Sequence, residues 1–287
     1  MKPLLKILRQ GVYASIQDRG RFGYRAQGIP VSGAMDRFSY EMGNQILNNP
    51  ANAACLEIFN GGFELEALSD HTYVLTGAEG NFSINHVKVE CWKSFRLKKG
   101  DILSIKGTIK GSILYLIPQG GLKVESILNS RSSYHKANLG ELVTAGSILY
   151  GQEIEPLAYT RGLMQEHRPQ FENFMQVRVF KGPHFELFTQ ESRISFLHDS
   201  YQYTGGNRMG YYFKGEKLSL QKKKNIISEA TQFGTIQVPA NGEPIILMAD
   251  AQTVGGYPII ATVHEDDLNK IAQLRTYSKV TFCLVED

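Results

Sequence analysis

Short strand-like runs separated by turn-forming residues dominate this sequence and constrain its fold most strongly. In the first half, HTYVLTG, NFSINHVKVECW and GSILYLIPQGG are rich in Val, Ile, Leu and aromatic residues and are cut by Gly or Asn. The second half repeats the pattern in MQVRVFKG, GTIQVP, PIILMAD, PIIATV and KVTFCLV. Many short strands with few helices predict an all-β protein with barrel or sandwich architecture.

Three segments predict short helices. The first is RFSYEMGNQILNN, for which Asp36 is a candidate N-cap and Phe38, Met42 and Ile46 are spaced on one face. Pro183 suits the first turn of a short helix in PHFELFTQESRISFL, and the apolar residues of EDDLNKIAQL are spaced for a third. With so few helical segments, strands must supply most of the core.

The length of the chain and one polar segment predict two domains. At 287 residues, the chain suits two β units better than one. The most linker-like stretch is YTRGLMQEHRPQF, residues 159–171, which is polar and has no regular period. We therefore expect an N-terminal domain over residues 1–165 and a C-terminal domain over residues 166–287. Within the second, Asn241 and Gly242 predict a tight hairpin turn with positive φ at both residues.

Charge and hydropathy argue against several classes of protein. Lys and Arg total 31 against 28 Asp and Glu, and this net charge of +3 does not indicate a nucleic-acid surface. The basic run Lys222-Lys223-Lys224 is typical of a solvated turn. No segment approaches the ~18 apolar residues of a membrane span, and the N-terminus lacks a signal-peptide pattern. We therefore expect a cytoplasmic protein that binds neither nucleic acid nor membrane.

The cysteines and histidines predict neither a disulfide framework nor a metal site. Cys55, Cys91 and Cys283 are scattered and odd in number, which favours free thiols in a reducing compartment. The seven histidines lack zinc-ligand spacing, either to one another or to a cysteine. The sequence also lacks a G-x-S-x-G elbow, a phosphate loop and a dinucleotide fingerprint. These common signatures therefore assign no function.

Polar residues embedded in glycine-rich sequence are the strongest indication of a binding site. Three such clusters occur: SIQDRGRFGYRAQGIPVSGAMD, GGNRMGYYFKG and MADAQTVGGYPIIATV. Glycine allows close backbone approach to a ligand, arginine offers a planar fork to a carboxylate or phosphate, and aspartate can transfer a proton. The structural alternative stays open: Asp18 pins a turn by pairing with a nearby arginine, and the glycines only shape hairpins.

The same clusters carry a resemblance to a known family. The stretch GVYASIQDRGRFGYRAQGIPVSGAMDRFSYEMGNQILNN resembles the opening signature of the biotin-dependent carboxyltransferase-like family, also called the allophanate hydrolase subunit 2 family. The resemblance continues in order through CLEIFNGG, SRSSYHKANLGE, VRVFKGPH, NRMGYYFKG, SEATQFGTIQVPANGEPIILMADAQTVGGYPIIATV and DLNKIAQL. It therefore covers essentially the whole chain.

The resemblance implies a fold, a reaction and partners. The implied fold is a pair of cyclophilin-like β-barrel domains. The implied function is that of one component of an ATP-dependent 5-oxoprolinase, which opens the 5-oxoproline lactam to glutamate. It would act with an allophanate-hydrolase-subunit-1-like partner, the B-type subunit, and with a third protein, the A-type subunit, and be inactive alone. The alternatives are a regulator that sequesters a kinase-inhibitor-like partner, and a urea or amide carboxyl transferase that uses carboxybiotin.

Lactam opening assigns hypothetical roles to residues of the three clusters. ATP can activate an unstrained amide by phosphorylating its oxygen, so the site needs cations for phosphate and carboxylate and a carboxylate to manage protons. Ser32 and Gly33 offer a hydroxyl and an N–H to an oxyanion, while Gln252 and Tyr257 suit an amide. The candidate catalytic residues are Asp18, Ser32, Asp36 and Arg208. The candidate substrate-binding residues are Arg19, Arg21, Gly33, Asn207, Gln252 and Tyr257.

Two questions about these residues stay open in the sequence. Asp36 is either an acid of the site or only the cap of the helix that follows it. The chain also departs from the family pattern, with Gly206 at a serine position, Tyr212 at an arginine position and Phe233 at a proline position. The lost arginine either altered the substrate or was structural. For Arg208→Ala, we expect loss of activity with assembly intact.

Overall fold

The computed structural model describes residues 1–222 and 226–285, and the chain divides into two compact units. The first unit comprises Met1–Arg21 and Ser32–Phe171. The second comprises Phe22–Val31 and the chain from Glu172 onward. We call Phe22–Val31 the strap. The main boundary between the units therefore falls between residues 171 and 172, whereas the sequence predicted it between residues 165 and 166. The sequence did not predict that the strap belongs to the second unit, because the residues that the strap contacts lie far along the chain.

The first unit is built on one antiparallel sheet. Its strand order is β2-β3-β8-β4-β1-β9, and β5 pairs with β8 and carries β6 and β7. One helix, α1, spans Arg37–Ile46 and contacts β5 and β8. The strands are β1 (Lys2–Arg9), β2 (Tyr13–Gln17), β3 (Cys55–Phe59), β4 (Phe63–Ala67), β5 (His71–Ile84), β6 (Val87–Lys88), β7 (Ser94–Leu97), β8 (Ile102–Pro118) and β9 (Ile148–Gly151).

Helix α1 begins where the sequence predicted, and its buried face matches the predicted one only in part. Asp36 is its N-cap, since the carboxylate accepts hydrogen bonds from the backbone N–H (3.0 Å) and hydroxyl (2.5 Å) of Ser39. Of the predicted face, Ile46 is buried and Met42 is partly buried, whereas Phe38 is 37% exposed, and the buried side also includes Tyr40 and Gly43. A Cβ at Gly43 would lie 2.3 Å from Cδ1 of Ile117, so the helix approaches the sheet through its glycine.

The second unit contains a closed barrel. Among its described residues, seven strands run in the order β10-β17-β14-β15-β12-β11-β18, and β10 closes the ring through a parallel pairing with β18. Strands β13 and β16 form a separate two-stranded ladder. The strands are β10 (Phe174–Lys181), β11 (Tyr201–Asn207), β12 (Gly210–Lys214), β13 (Glu229–Ala230), β14 (Thr235–Gln237), β15 (Ile245–Leu247), β16 (Val254–Gly255), β17 (Ile259–Val263) and β18 (Lys279–Leu284).

The mainly β architecture confirms the predicted fold class. The second unit is the closed barrel, whereas the strand pairings of the first unit form an open nine-stranded sheet. The predicted hairpin joins β14 to β15, although only Gly242 of its turn has positive φ. Helix α2 spans Gln190–His198 and is capped by Thr189, so it begins after Pro183, which precedes a 3-10 turn. Helix α3 spans Glu265–Ala272, as its periodicity predicted.

The sequence also led to expectations about cysteines, membrane spans, metal sites and the basic run at 222–224. Cys55, Cys91 and Cys283 are free thiols. Within residues 1–222 and 226–285, no helix is both long and apolar enough to cross a membrane. The same ranges contain no group of three or more His, Cys, Asp or Glu side chains placed to hold a metal ion. Of the predicted solvated turn at 222–224, Lys222 is exposed, and the other two lysines lie outside the described residues.

A buried carboxylate on α3 predicts a loss of stability at low pH. Burial alone would raise the pKa of Asp267, but hydrogen bonds from the Arg178 side chain and backbone and from Lys270 outweigh it and lower the pKa to about 2. A depressed native pKa stabilises the fold above the ordinary value of 3.8. This stabilisation, roughly 2 kcal/mol, is lost as the pH falls from about 4 to about 2.

This effect is measured by unfolding the second unit in urea at pH 5 and at pH 2.5, with hydrogen exchange as the readout. Asp267→Asn should remove most of the difference between the two pH values that this carboxylate causes. Asp199→Asn is the matched control, since Asp199 lies at the exposed end of α2. An equal pH dependence in the Asp267→Asn and unaltered chains would contradict the assignment.

Candidate functional site

Asp18 is the centre of a buried hydrogen-bond network in the first unit. It directly follows β2, and its side chain is almost fully buried. Oδ1 accepts from the Gly20 N–H (2.8 Å) and from the hydroxyls of Ser130 (2.7 Å) and Ser132 (2.6 Å). Oδ2 accepts from the Arg131 N–H at 2.6 Å. The carboxylate therefore ties the segment after β2 to the loop at residues 130–132.

The two arginines beside Asp18 have different surroundings. Arg21 is fully buried, and it donates through Nε to the Ile127 carbonyl (3.0 Å) and through Nη2 to the Ser132 carbonyl (2.8 Å). Arg19 is half exposed and forms an ion pair with Glu41 at 2.9 Å. Arg19 thus offers a cation to solvent, whereas Arg21 fastens the 127–132 loop. These contacts do not show whether Arg19 or Arg21 binds substrate, so that role stays a prediction.

Ser32 and Gly33 have left-handed backbone conformations, and they lie where their loop passes close to the backbone that follows β2. Ser32 has φ of 56° and is buried, and its hydroxyl has no hydrogen-bond partner among the described residues. Gly33 has φ of 81°, and a Cβ there would lie 2.8 Å from the carbonyl carbon and oxygen of Arg19. The next residue donates its N–H to the Asp18 carbonyl at 2.9 Å. Glycine is therefore required where this loop passes the backbone after β2.

Gly33→Ala is expected to destabilise the first unit by about 2–4 kcal/mol, because left-handed strain adds to a backbone collision. Gly100→Ala is the matched control in the same unit. Gly100 also has positive φ (91°) but has open space around its Cβ position, so only strain of about 1–2 kcal/mol applies. Trp92, the single tryptophan, is buried in this unit, so its fluorescence in urea reports the unfolding. Equal losses in both variants would argue against the collision.

A second buried carboxylate, Glu57 on β3, holds the start of α1. Its Oε2 accepts from the Met35 N–H (2.9 Å) and from the Tyr115 hydroxyl (2.7 Å). The same hydroxyl accepts from the Asp36 N–H at 2.8 Å. Burial, reinforced by Glu57 and Asp36, raises the pKa of Tyr115 well above its ordinary value, so the phenol stays protonated and donates. Asp36 itself is the helix cap, one of the two roles left open by the sequence.

Arg208 forms a buried ion pair in the second unit. It lies in the turn between β11 and β12, and its side chain is only 4% exposed. Nε contacts Asp250 Oδ2 at 2.7 Å, and Nη2 contacts Oδ1 at 2.9 Å. The Asp250 N–H also donates to the Arg208 carbonyl at 2.7 Å. Two nitrogens of the fork are therefore occupied by Asp250, which fixes the turn against the chain after β15.

A chain of polar contacts joins the strap to the glycine-rich segment at 252–257. The Arg25 guanidinium donates to the Thr231 carbonyl. The Thr231 hydroxyl donates to the Gln252 carbonyl at 2.6 Å. The Gln252 side-chain amide donates to Gln237 Oε1 at 3.4 Å, and Gln237 Nε2 donates to the Tyr257 carbonyl at 3.5 Å. Gln237 is buried on β14, whereas Gln252 and Tyr257 are exposed, so this segment presents amide and phenol groups to solvent.

A cavity of about 840 Å³ lies beside this segment, within the second unit. Gly256 and Tyr257 form part of its wall. The apolar residues of its wall include Phe188, Leu218, Leu220, Val238, Pro239 and Pro258. Its size suits a small molecule, and its wall offers both polar and apolar surface, with Tyr257 among its residues.

The structure groups the predicted site residues by unit. Asp18, Arg19, Arg21, Ser32, Gly33 and Asp36 lie in the first unit, and Asn207, Arg208, Gln252 and Tyr257 in the second. Asp18 and Arg21 meet at Ser132, while Gln252 and Tyr257 both contact Gln237. Asn207 is exposed and accepts the Met209 N–H at 2.8 Å, which stabilises its own turn.

Sequence reasoning missed several members of these networks. Glu57 and Gln237 are polar residues on strands that are otherwise almost wholly buried, so an isolated polar residue in an apolar run was the available signal. Ser130 and Ser132 carried no such signal, because serines in a loop are common. Their role appears only from the position of Asp18, more than 100 residues away.

The departures from the family pattern have different structural settings. A Cβ at Gly206 would lie 2.4 Å from the Gly210 carbonyl oxygen, so the β11–β12 hairpin here is too close for a serine without a backbone shift. Tyr212 is 49% exposed, so an arginine at its position would meet solvent. Phe233 is half-buried in the turn before β14. The close hairpin accounts for Gly206 in this chain.

A family model described as carboxyltransferase domain, subdomain A and B, matches residues 27–284. The chain therefore belongs to this carboxyltransferase family, which confirms the resemblance found in its motifs.

Individual relatives cover nearly the full chain. It is 34% identical to a Haemophilus influenzae protein named as the C subunit of 5-oxoprolinase, over 97% of this chain and 90% of that protein. The Escherichia coli protein of the same name is also 34% identical, over 99% of this chain and 93% of its own length. The crystal structure of the K. lactis urea amidolyase matches with a TM-score of 0.93 and 25% identity, over 100% of this chain and 19% of that one.

Proposed function

We propose that this chain is the C-type subunit of an ATP-dependent 5-oxoprolinase, which opens the 5-oxoproline lactam to glutamate. The observation that carries the proposal is the 34% identity to proteins named as the C subunit of 5-oxoprolinase, across at least 90% of each protein. If the proteins shared only one domain, the alignment would cover only part of at least one of them. The name of these relatives also supports partner subunits, which we take to be of the A and B types.

The chemistry of the second unit is consistent with a small amide substrate. A lactam presents one N–H donor and one carbonyl acceptor. The Gln252 carboxamide and the Tyr257 phenol can each donate and accept, both residues are exposed, and Tyr257 lines the cavity. ATP would phosphorylate the lactam oxygen and leave as ADP. Water would then add to the carbon, and the C–N bond would break as the nitrogen takes a proton, leaving an acyl phosphate. A second water would release phosphate from it and give glutamate. We assign Gln252 and Tyr257 to orienting the lactam for this attack.

Reconstitution tests the proposal. The chain should be produced with the A-type and B-type subunits encoded in the same genome, and glutamate and ADP measured after addition of 5-oxoproline and ATP. We expect glutamate formation from the complete mixture and none when this chain is omitted. A complex that assembles but forms no glutamate would reject the function. The chain alone, with ATP and 5-oxoproline, is the control for activity without partners.

Carboxyl transfer is the second candidate, and one observation favours it. The chain superimposes over its whole length on part of a urea amidolyase with a TM-score of 0.93. Under this alternative, a carboxyl group would move from carboxybiotin, supplied by another protein, to an amide or urea. Avidin distinguishes the two reactions, because it sequesters biotin. Activity abolished by avidin would favour carboxyl transfer, and activity insensitive to avidin would favour lactam opening.

A further inference from the structure

Arg25 is a partly buried arginine of the strap that is held by a backbone carbonyl and, among the described residues, not by a carboxylate. It begins a 3-10 turn at Arg25–Gln27 in the strap, between Gly23 and Gly28, both of which have positive φ. Its guanidinium donates to the Thr231 carbonyl. Within residues 1–222 and 226–285, no carboxylate forms an ion pair with it. By contrast, Arg19 pairs with Glu41 and Arg208 with Asp250.

Partial burial makes the charge of Arg25 more favourable for binding an anion. Arg25 is neither fully exposed nor fully buried, so its charge has lost part of its hydration. A carbonyl oxygen satisfies one N–H but does not neutralise the charge. A planar fork held by one edge keeps other N–H groups for a carboxylate or phosphate. Arg25 therefore suits an anion supplied from outside the described chain.

The neighbours of Arg25 indicate which kind of anion it suits. Thr231, which receives its hydrogen bond, is joined to the 252–253 segment twice. The Thr231 N–H donates to the Thr253 carbonyl at 2.9 Å, and its hydroxyl donates to the Gln252 carbonyl at 2.6 Å. The guanidinium and the exposed carboxamide of Gln252 are thus fastened to the same short piece of backbone. A small ligand with both an anionic and an amide group matches this pair of side chains.

We propose that Arg25 binds the carboxylate of the substrate and so selects an acidic lactam over uncharged lactams. This inference rests on the proposed function, because 5-oxoproline carries a carboxylate on the carbon beside its lactam nitrogen. Arg25 anchors the carboxylate while Gln252 contacts the amide. The chemistry at the lactam carbon is left to the other groups of the complex.

A comparison of two ligands in the assembled complex tests the proposal. 5-Oxoproline is the substrate, and 2-pyrrolidinone, the same ring without the carboxylate, is measured as a competitive inhibitor. Arg25→Gln should lower kcat/KM for 5-oxoproline by about 10- to 100-fold, the loss of a charge-assisted hydrogen bond. The Ki of 2-pyrrolidinone should stay within about twofold. Arg25→Lys should recover part of the loss, because it keeps the charge without the fork.

Arg9→Gln is the matched control. Arg9 is an exposed arginine on β1 that pairs with Glu64, and its removal should change neither ligand constant. If Arg25 only fastens the strap, Arg25→Gln should weaken both ligands equally, and Arg25→Lys should behave like Arg25→Gln. That result would overturn the proposal.

Failure of the proposed function gives a different result, because the unaltered complex would then form no glutamate. Calorimetric titration of that complex with 5-oxoproline and 2-pyrrolidinone still tests Arg25. Preference for 5-oxoproline that disappears in Arg25→Gln supports the carboxylate site. Equal affinity of the unaltered complex for the two ligands, or binding of neither, contradicts it.

Discussion

Asp18→Ala is expected to destabilise the first unit by about 3–5 kcal/mol. The substitution leaves two backbone N–H groups and two serine hydroxyls without their acceptor, and each buried donor left unsatisfied costs about 1–3 kcal/mol, less where a hydroxyl can rotate to another acceptor. Asp18→Asn should fall between Ala and the unaltered chain, because its NH2 group would face one of these donors. Urea unfolding followed by the fluorescence of Trp92 measures the change.

Asp70→Ala is the control for this prediction, since Asp70 is a partly exposed aspartate of the same unit. It should shift the unfolding midpoint far less than Asp18→Ala. The experiment also separates the two roles that the sequence left open for Asp18. A stable Asp18→Ala variant without activity would favour a part in the reaction. Loss of stability would identify Asp18 as the residue that holds the 130–132 loop.

Asp250→Ala is the second large effect, and we expect the second unit to lose about 3–5 kcal/mol. The substitution leaves the Arg208 guanidinium buried without its carboxylate, and removal of one partner of a buried ion pair has a cost of this size. The double variant Arg208→Met with Asp250→Leu should regain much of the loss, because it removes both charges and keeps apolar volume. Hydrogen exchange of β11, β12 and β15 measures local stability around the pair.

This prediction changes what Arg208→Ala can reveal. The sequence suggested that its loss would remove activity with assembly intact. In the structure the same substitution leaves the Asp250 carboxylate buried and unpaired, so activity and stability should fall together. Equal exchange rates in the Asp250→Ala and unaltered chains would show that the pair contributes little, and Arg208→Ala would again be a clean test of catalysis.

Some of the site was predictable because its signals are local. An aspartate before a helical pattern predicted the cap of α1, and the cap geometry depends only on Asp36 and the first helical turn. The exposed side chains Gln252 and Tyr257 were found because Gly255 and Gly256 mark an irregular segment. Each signal lies within a few residues of the feature it predicts.

Other parts of the site could not be predicted because their contacts are distant in sequence. Asp18 meets Ser130 across more than 100 residues, and Arg25 meets Thr231 across more than 200. The same limit applied to α1, where Phe38 was expected on one apolar face with Met42 and Ile46, but Phe38 is exposed while Ile46 is buried. Helical periodicity predicts a stripe of apolar residues, but Gly43 allows a closer approach of the backbone to the sheet, and that approach selected the buried face.

The sequence by itself determined the mainly β architecture, the helix cap, the hairpin and the family, because strand alternation, turn chemistry and motifs are written in consecutive residues. Only the tertiary structure decided that Arg21 and Arg208 are held by internal partners, that Glu57 joins Tyr115 beneath the start of α1, and that the strap belongs to the second unit. Whether a charged side chain meets solvent or another part of the chain depends on chain closure over long distances, and no local pattern records that closure.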